Sequence, residues 1–310
     1  ADGGAHAGAD DDLLGLGEHG PPLYIIMVVK RLVFIGSHLG YPMDRTPLGG
    51  GAMVGLQLLR HWPIRPDYEL TAVGSGSMPP RPGLDYVHLP QGEKADLVRL
   101  SELGYAAFCR RFEKATTDWL LARRERFDPA STCVLVNDIS EGPALARLTQ
   151  AGYPIVSIWH VDVVDYFNKL YLRHFVAPER LTRLYERSLR WGVDWVAPDV
   201  LRLIFDKQRE TVLHSHRMIL PSRAMAETVK RCYGELLKSP EEFDNRSVIV
   251  PWGVWKSEGG SEEQASAAAA RLRAHYKIGP ETTVVMTLSR ISPEKGLHLL
   301  LEGLRLAEDG

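Results

Sequence analysis

Six short, unbroken apolar runs punctuate this chain and leave few folds open to it. They are LVFIG (32–36), LTAV (70–73), CVLV (133–136), IVSIW (155–159), MIL (218–220) and VIV (248–250). A strand that is apolar at every position has to be covered on both faces. Between the runs, Leu100, Leu103, Phe108, Phe112, Ala115 and Trp119 repeat at about 3.6 residues, as do Leu181, Leu184, Tyr185 and Leu189. Strands alternating with helices predict parallel β-α-β units, hence an α/β, doubly wound sheet.

The chain has 310 residues, enough for about two domains. At 45% hydrophobic and 25% charged residues it can build its own core without staples. The formal net charge of −2 argues against a generic binder of nucleic acid or acidic membranes, but leaves local patches open. Cys109, Cys133 and Cys232 are odd in number and far apart, which fits a reducing compartment and neither a disulfide framework nor a CxxC metal site. The apolar stretch 23–36 is too short to span a bilayer and is broken by Lys30 and Arg31. Its upstream flank carries Asp2, Asp10, Asp11, Asp12 and Glu18, the opposite of a basic signal-peptide flank. Both features predict a cytoplasmic protein without a transmembrane segment.

Residues 1–27 read as a disordered or extension tail, rich in Gly, Ala and Asp and followed by the first strand. Residues 28–255 read as the first domain. KSEGGSEE (256–263) is the best linker in the chain, and an Ala-rich helix (264–276) follows it. VVMTL (284–288) and a helix on Leu297, Leu300, Leu301 and Leu304 read as the opening β-α unit of a second sheet. A doubly wound domain takes roughly 100 residues or more. Residues 278–310 are therefore expected to be the start of an incomplete second domain, weakly protected after about residue 256, in a fragment of a longer enzyme.

Two segments carry chemistry. In PLGGGAMVGLQLL (47–59), three glycines lie just before a helix, where backbone can approach a ligand and a helix N-terminus attracts anions. A flexible surface loop is the alternative. In LSRISPEKGLHLLLEGL (288–304), Arg290 leaves the end of a strand, Ser292 and Pro293 suit a helix start, and Lys295 and Gly296 fall in its first turn. Two cations and free backbone N–H groups then converge on one point, as a diphosphate site requires. Solvated cations are the alternative. The GSGS at 74–77 precedes prolines rather than a helix, and the HSH at 214–216 lacks a third ligand, so no metal is expected.

SRISPEKGLHLLLEGL resembles the motif that opens the donor domain in glycosyltransferase family 4. PLGGGAMVGLQLLRHW, YPIVSIWHVD (153–162), HRMILPSRAMAETV (216–229) and RSVIVPWGVW (246–255) resemble other segments of that family in the right order. The resemblance implies a GT-B-like fold of two Rossmann-like domains, the second incomplete here. It implies a retaining hexosyltransferase that takes a sugar from a UDP-, ADP- or GDP-linked donor to a sugar or small-molecule acceptor, with no metal or other cofactor. By the same resemblance, Arg290 and Lys295 contact the donor diphosphate beside Gly296. Gly50 and Gly51 let the first domain approach donor or acceptor, and His160 lies near the transferred sugar. A structural histidine is the other reading of His160. Asn137, Asp138 and Asp162 are further cleft candidates, Glu141 less so. Trp252 and Trp255 stand where the family carries Asn and Asp.

The family chemistry is loss of a diphosphate from the anomeric carbon, with Arg290, Lys295 and the helix N-terminus taking up the departing charge. Front-face attack by the acceptor, helped by the leaving phosphate, accounts for retention. A non-catalytic sugar-nucleotide-binding module, or one part of a split enzyme, is the competing class. A Rossmann dehydrogenase is disfavoured because no GxGxxG follows the first strand. Nucleic acid is not an expected partner; self-association is left open.

Overall fold

A computed structural model describes residues 29–42, 49–63, 65–90, 102–171, 175–253, 261–289, 291 and 295–308. All six apolar runs are strands: β1 (Arg31–Ile35), β2 (Glu69–Gly74), β4 (Thr132–Val136), β5 (Ile155–Ile158), β6 (Arg217–Leu220) and β7 (Ser247–Ile249). A further strand, β3 (Asp85–His88), joins them. All pair in parallel, in the order β3-β2-β1-β4-β5-β6-β7. The chain thus winds outward from β1 through β2 to β3. It then returns to the other side of β1 with β4 and winds outward again. The expected doubly wound α/β sheet is what forms.

Alternate side chains of each strand serve the two faces. Val33, Ile35, Val73, Val134, Val136 and Ile155 pack under helices α2 (Glu102–Leu121) and α3 (Leu145–Gln150), where Phe108, Phe112, Trp119 and Leu148 meet them. Phe34, Ala72, Leu135 and Ile158 face the other way, onto Leu56 and Leu59 of α1 (Gly50–His61). Each fully buried Leu or Phe contributes about 1.5–3 kcal/mol. This two-sided burial is why β1, β2, β4, β5 and β6 read as continuous apolar runs; edge strand β7 departs from the expectation, since Val248, Ile249 and the following Val250 are exposed. Helices α4 (Val163–Tyr171), α5 (Pro178–Trp191), α6 (Asp199–His214), α7 (Arg223–Tyr233) and the short α8 (Pro240–Arg246) complete the layer beside β5–β7. Trp159, Met218, Leu220 and Val229 form the core there.

Beyond β7 the expectation needs correction. Val284–Leu288 forms no strand and is exposed. A strand exists only through hydrogen bonds to a neighbour, and no described residue pairs with this run. The Ala-rich helix is present as α9 (Glu262–His275), closed by a Ser261–Gln264 capping box, with no buried residue. The leucine helix is α10 (Leu297–Glu308), and Leu299, Leu301 and Leu306 are exposed. Gly296 has φ +64° and its carbonyl accepts the Leu300 N–H at 3.0 Å. Gly296 thus stands just before the α-helix, and Lys295 ahead of it is in 3₁₀ geometry. The tail 1–27 and Arg290, Ser292, Pro293 and Trp255 lie outside the described residues. All three cysteines are free, Cys109 and Cys232 being buried.

Candidate functional site at the strand ends

In an open α/β sheet, ligands bind beyond the carboxyl ends of the strands where the winding reverses. Here that point lies between β1 and β4, which are hydrogen-bonded neighbours. The segments leaving β1, β4 and β5 carry Ser37-His38, Asn137-Asp138 and His160-Val161-Asp162. Four of the sequence candidates (Asn137, Asp138, His160 and Gly51) meet at this edge.

His160 is held from two sides. Asn137, fully buried, donates through Nδ2 to the Gly51 carbonyl at 3.2 Å. That turns its Oδ1 towards His160 Nε2, 3.3 Å away. Nε2 then carries the proton, and Nδ1 is left as a buried acceptor without a partner among the described residues. Burial lowers the pKa of the imidazole, against the opposing charge of Asp138, so the neutral form is favoured. The ring lies 5.5 Å from the Trp252 ring, centre to centre. Gly51 matters for a reason that the motif did not reveal. A Cβ there would sit 2.8 Å from His160 Cδ2, so the glycine makes room for the imidazole. Gly50 has open space around its Cβ position and is exposed at the start of α1.

In the second cluster Asp138 and Glu141 were cleft candidates, and His38 was missed in the sequence. His38 Nε2 lies 3.3 Å from Asp138 Oδ2 and 3.5 Å from Glu141 Oε2. Its Nδ1 is a buried atom without a partner among the described residues. Glu141 is buried, accepts the Tyr105 hydroxyl at 2.8 Å and takes a close hydrogen bond from Ser37 Oγ. Asp138 Oδ1 accepts the Ser140 N–H at 2.9 Å. His38, Asp138 and Glu141 offer three ligand atoms within 4.8 Å of one another, a set that could hold a cation. Protein donors reach three of the four carboxylate oxygens, so the cluster is also satisfied as a hydrogen-bonded network. The signal for His38 was available: it follows the first apolar run as His160 follows the fourth.

Asp162 lies further along the same edge and borders a cavity of about 270 Å³ with Asp165, Lys169, Ser222 and Thr228. Its Oδ1 accepts Gln208 Nε2 and the Asp165 N–H, both at 3.0 Å, while Oδ2 is buried without a partner among the described residues. Burial raises its pKa. The ionised carboxylate therefore opposes folding at neutral pH. That penalty fades as pH falls through the raised value towards the ordinary carboxylate range. Asp162→Asn keeps the Oδ1 acceptor. It is expected to raise the melting temperature at about pH 8, with the gain shrinking towards about pH 4. A gain independent of pH would contradict the burial argument.

Other singled-out motifs are structural. Gly76 of the GSGS segment packs against Gly40, and Ser75 Oγ donates to the Ser37 carbonyl at 2.6 Å. In the HSH segment, His216 Nδ1 accepts the Ile155 N–H at 3.2 Å. Lys295 is exposed and, among the described residues, is not brought to the strand-end cluster.

No protein-family model matches the chain, and no curated protein matches it. Among solved structures, it is similar to Os79 from O. sativa in complex with UDP. The TM-score is 0.44 at 12% identity, over 85% of this chain and 60% of that one. It is also similar to UGT2 of Phytolacca americana complexed with UDP-2fluoro-glucose and pterostilbene. There the TM-score is 0.39 at 10% identity, over 76% of this chain and 55% of that one. The chain thus spans less than two thirds of either structure. Among the described residues no helix is long and apolar enough to cross a membrane.

Proposed function

We propose that this chain serves a nucleotide-sugar-dependent glycosyltransferase of the GT-B kind, acting with retention and without an obligatory metal. The observation that carries the reading is His160: an imidazole held by Asn137 and Gly51 at the strand ends, with burial favouring its neutral form. The His160 ring is only part-buried, so its open edge is within reach of a hydroxyl of the transferred sugar. The ordered sequence segments that resemble family 4 support the same assignment. Arg290 and Lys295 take the donor diphosphate in this reading and stabilise the charge that builds on it as the anomeric bond breaks. The acceptor belongs to the side of the crevice formed by His38, Asp138 and Glu141.

The test is a panel of UDP-, ADP- and GDP-sugars, scored by thermal shift, by nucleotide release and by the anomeric configuration of any product. A stabilising donor raises the melting temperature with occupancy. Stabilisation without release or transfer would favour a binding module instead, and loss of activity in EDTA would overturn metal independence. Where turnover is measurable, Arg290→Ala or Lys295→Ala is expected to lower it about a hundredfold. Arg290→Lys should restore little, since the planar fork is lost. Near-normal turnover in both alanine variants would remove the diphosphate assignment.

A further inference from the structure

Helix α5 buries only one side. Leu181, Thr182, Tyr185 and Leu189 turn inward, where Tyr185 stacks on Phe205 of α6 at 4.7 Å between ring centres. On the outer side Arg180, Arg183, Leu184, Arg187, Arg190 and Trp191 are all exposed. At about 100° per residue these six share an arc of about 120°. No carboxylate lies within it. The helix's own Glu179 and Glu186 fall outside the arc, Glu186 is held by Arg209 at 2.9 Å, and at one margin Glu227 and Glu235 line a cavity with Arg183. Past the left-handed cap at Gly192, the next residues Val193, Trp195 and Val196 are exposed as well, with Asp194 between them. Trp191, Trp195 and Val196 are 75%, 70% and 68% exposed, and Leu184 is 65% exposed.

We propose that this face docks onto an anionic lipid surface, with Trp191, Trp195, Leu184 and Val196 entering the headgroup boundary and the arginine stripe facing lipid phosphates. The whole chain is slightly acidic, so four arginines in one arc without a carboxylate make a local field of opposite sign. Contiguous exposed apolar residues mark interaction surfaces, and tryptophan beside arginine is the composition that suits a membrane interface. A nucleic acid would use the arginines equally well. It has no use for Leu184, Val193 and Val196, which gain only by leaving water. The inference does not depend on the glycosyltransferase reading.

The experiment is vesicle co-sedimentation of the full chain, comparing phosphatidylcholine alone with phosphatidylcholine containing about 30% phosphatidylglycerol, at low and high salt. Binding is expected to the anionic vesicles, to weaken with salt, and to be far weaker on phosphatidylcholine. Arg187→Gln with Arg190→Gln should weaken partitioning about thirtyfold. Trp191→Ala with Trp195→Ala should weaken it at least tenfold. These side chains are solvent-facing, so circular dichroism melting should be unchanged in both pairs. Equal binding to the two vesicle types, or anionic binding indifferent to both variant pairs, would overturn the proposal. So would arginine-dependent binding of a short RNA or DNA without vesicle binding.

Discussion

Gly76→Ala is expected to cost about 3 kcal/mol or more of folding stability. The segments leaving β1 and β2 cross at this point. A Cβ on Gly76 would sit 2.1 Å from the Gly40 carbonyl carbon, 2.2 Å from its oxygen and 2.6 Å from the Tyr41 nitrogen. All three are backbone atoms, so no rotamer change can relieve the overlap. The crossing is also fastened. Gly76 N–H donates to the Leu39 carbonyl at 2.9 Å and Met78 N–H to that of Gly40 at 3.0 Å. The Tyr86 hydroxyl reaches the Leu39 and Gly76 carbonyls at 3.0 and 2.6 Å. Gly40 itself has φ +89°, which an L-residue adopts only under strain. Urea unfolding should show a lowered midpoint at unchanged slope. Gly50→Ala, whose Cβ meets nothing within 4 Å, is the matched control and should leave the midpoint alone or raise it slightly. A wild-type midpoint for Gly76→Ala would mean that the two segments do not cross as described.

His160→Ala should lower sugar transfer about a hundredfold, the range of one pre-organised hydrogen bond at the reacting sugar, while nucleotide affinity changes less than about twofold. The split arises because the diphosphate belongs to Arg290 and Lys295 in the proposed reading. Gly51→Val reaches the same imidazole by another route, since its side chain takes the space of the His160 ring. It should fold, with stability lowered by about 1–3 kcal/mol, and transfer poorly. Gly51→Val should also abolish any pH dependence of transfer that His160 confers. Loss of stability alone in His160→Ala, with transfer intact, would make this a core histidine.

Strands were legible where the chain is apolar at every position, because burial on both faces imposes that pattern. Edge strand β3 was not, since Asp85–His88 has no fully buried residue and its pattern is half polar. Helix α6 was also unread. Its inward face carries Lys207, Gln208 and Thr211, all buried, which interrupts the apolar period. VVMTL misled in the opposite direction: the local pattern is that of a strand, but a strand needs a neighbour. At the site, His160, Asn137 and Asp138 were visible because they end apolar runs. Glu141 and Lys207 were harder, since a buried charge gives no sign of its partner until the fold supplies it.

The polar underside of α6 has a consequence for binding thermodynamics. Lys207 ties the Gly142 carbonyl at 2.9 Å and pairs with Glu113, while Gln208 ties Asp162 and the Tyr233 hydroxyl. One helix therefore anchors the segments that follow both β4 and β5, from beneath. A ligand entering above them meets walls already set, so little of its association entropy goes into ordering the protein. Calorimetry on a binder of this edge should accordingly return a heat-capacity change close to that of the contact area alone, without the excess that accompanies coupled folding.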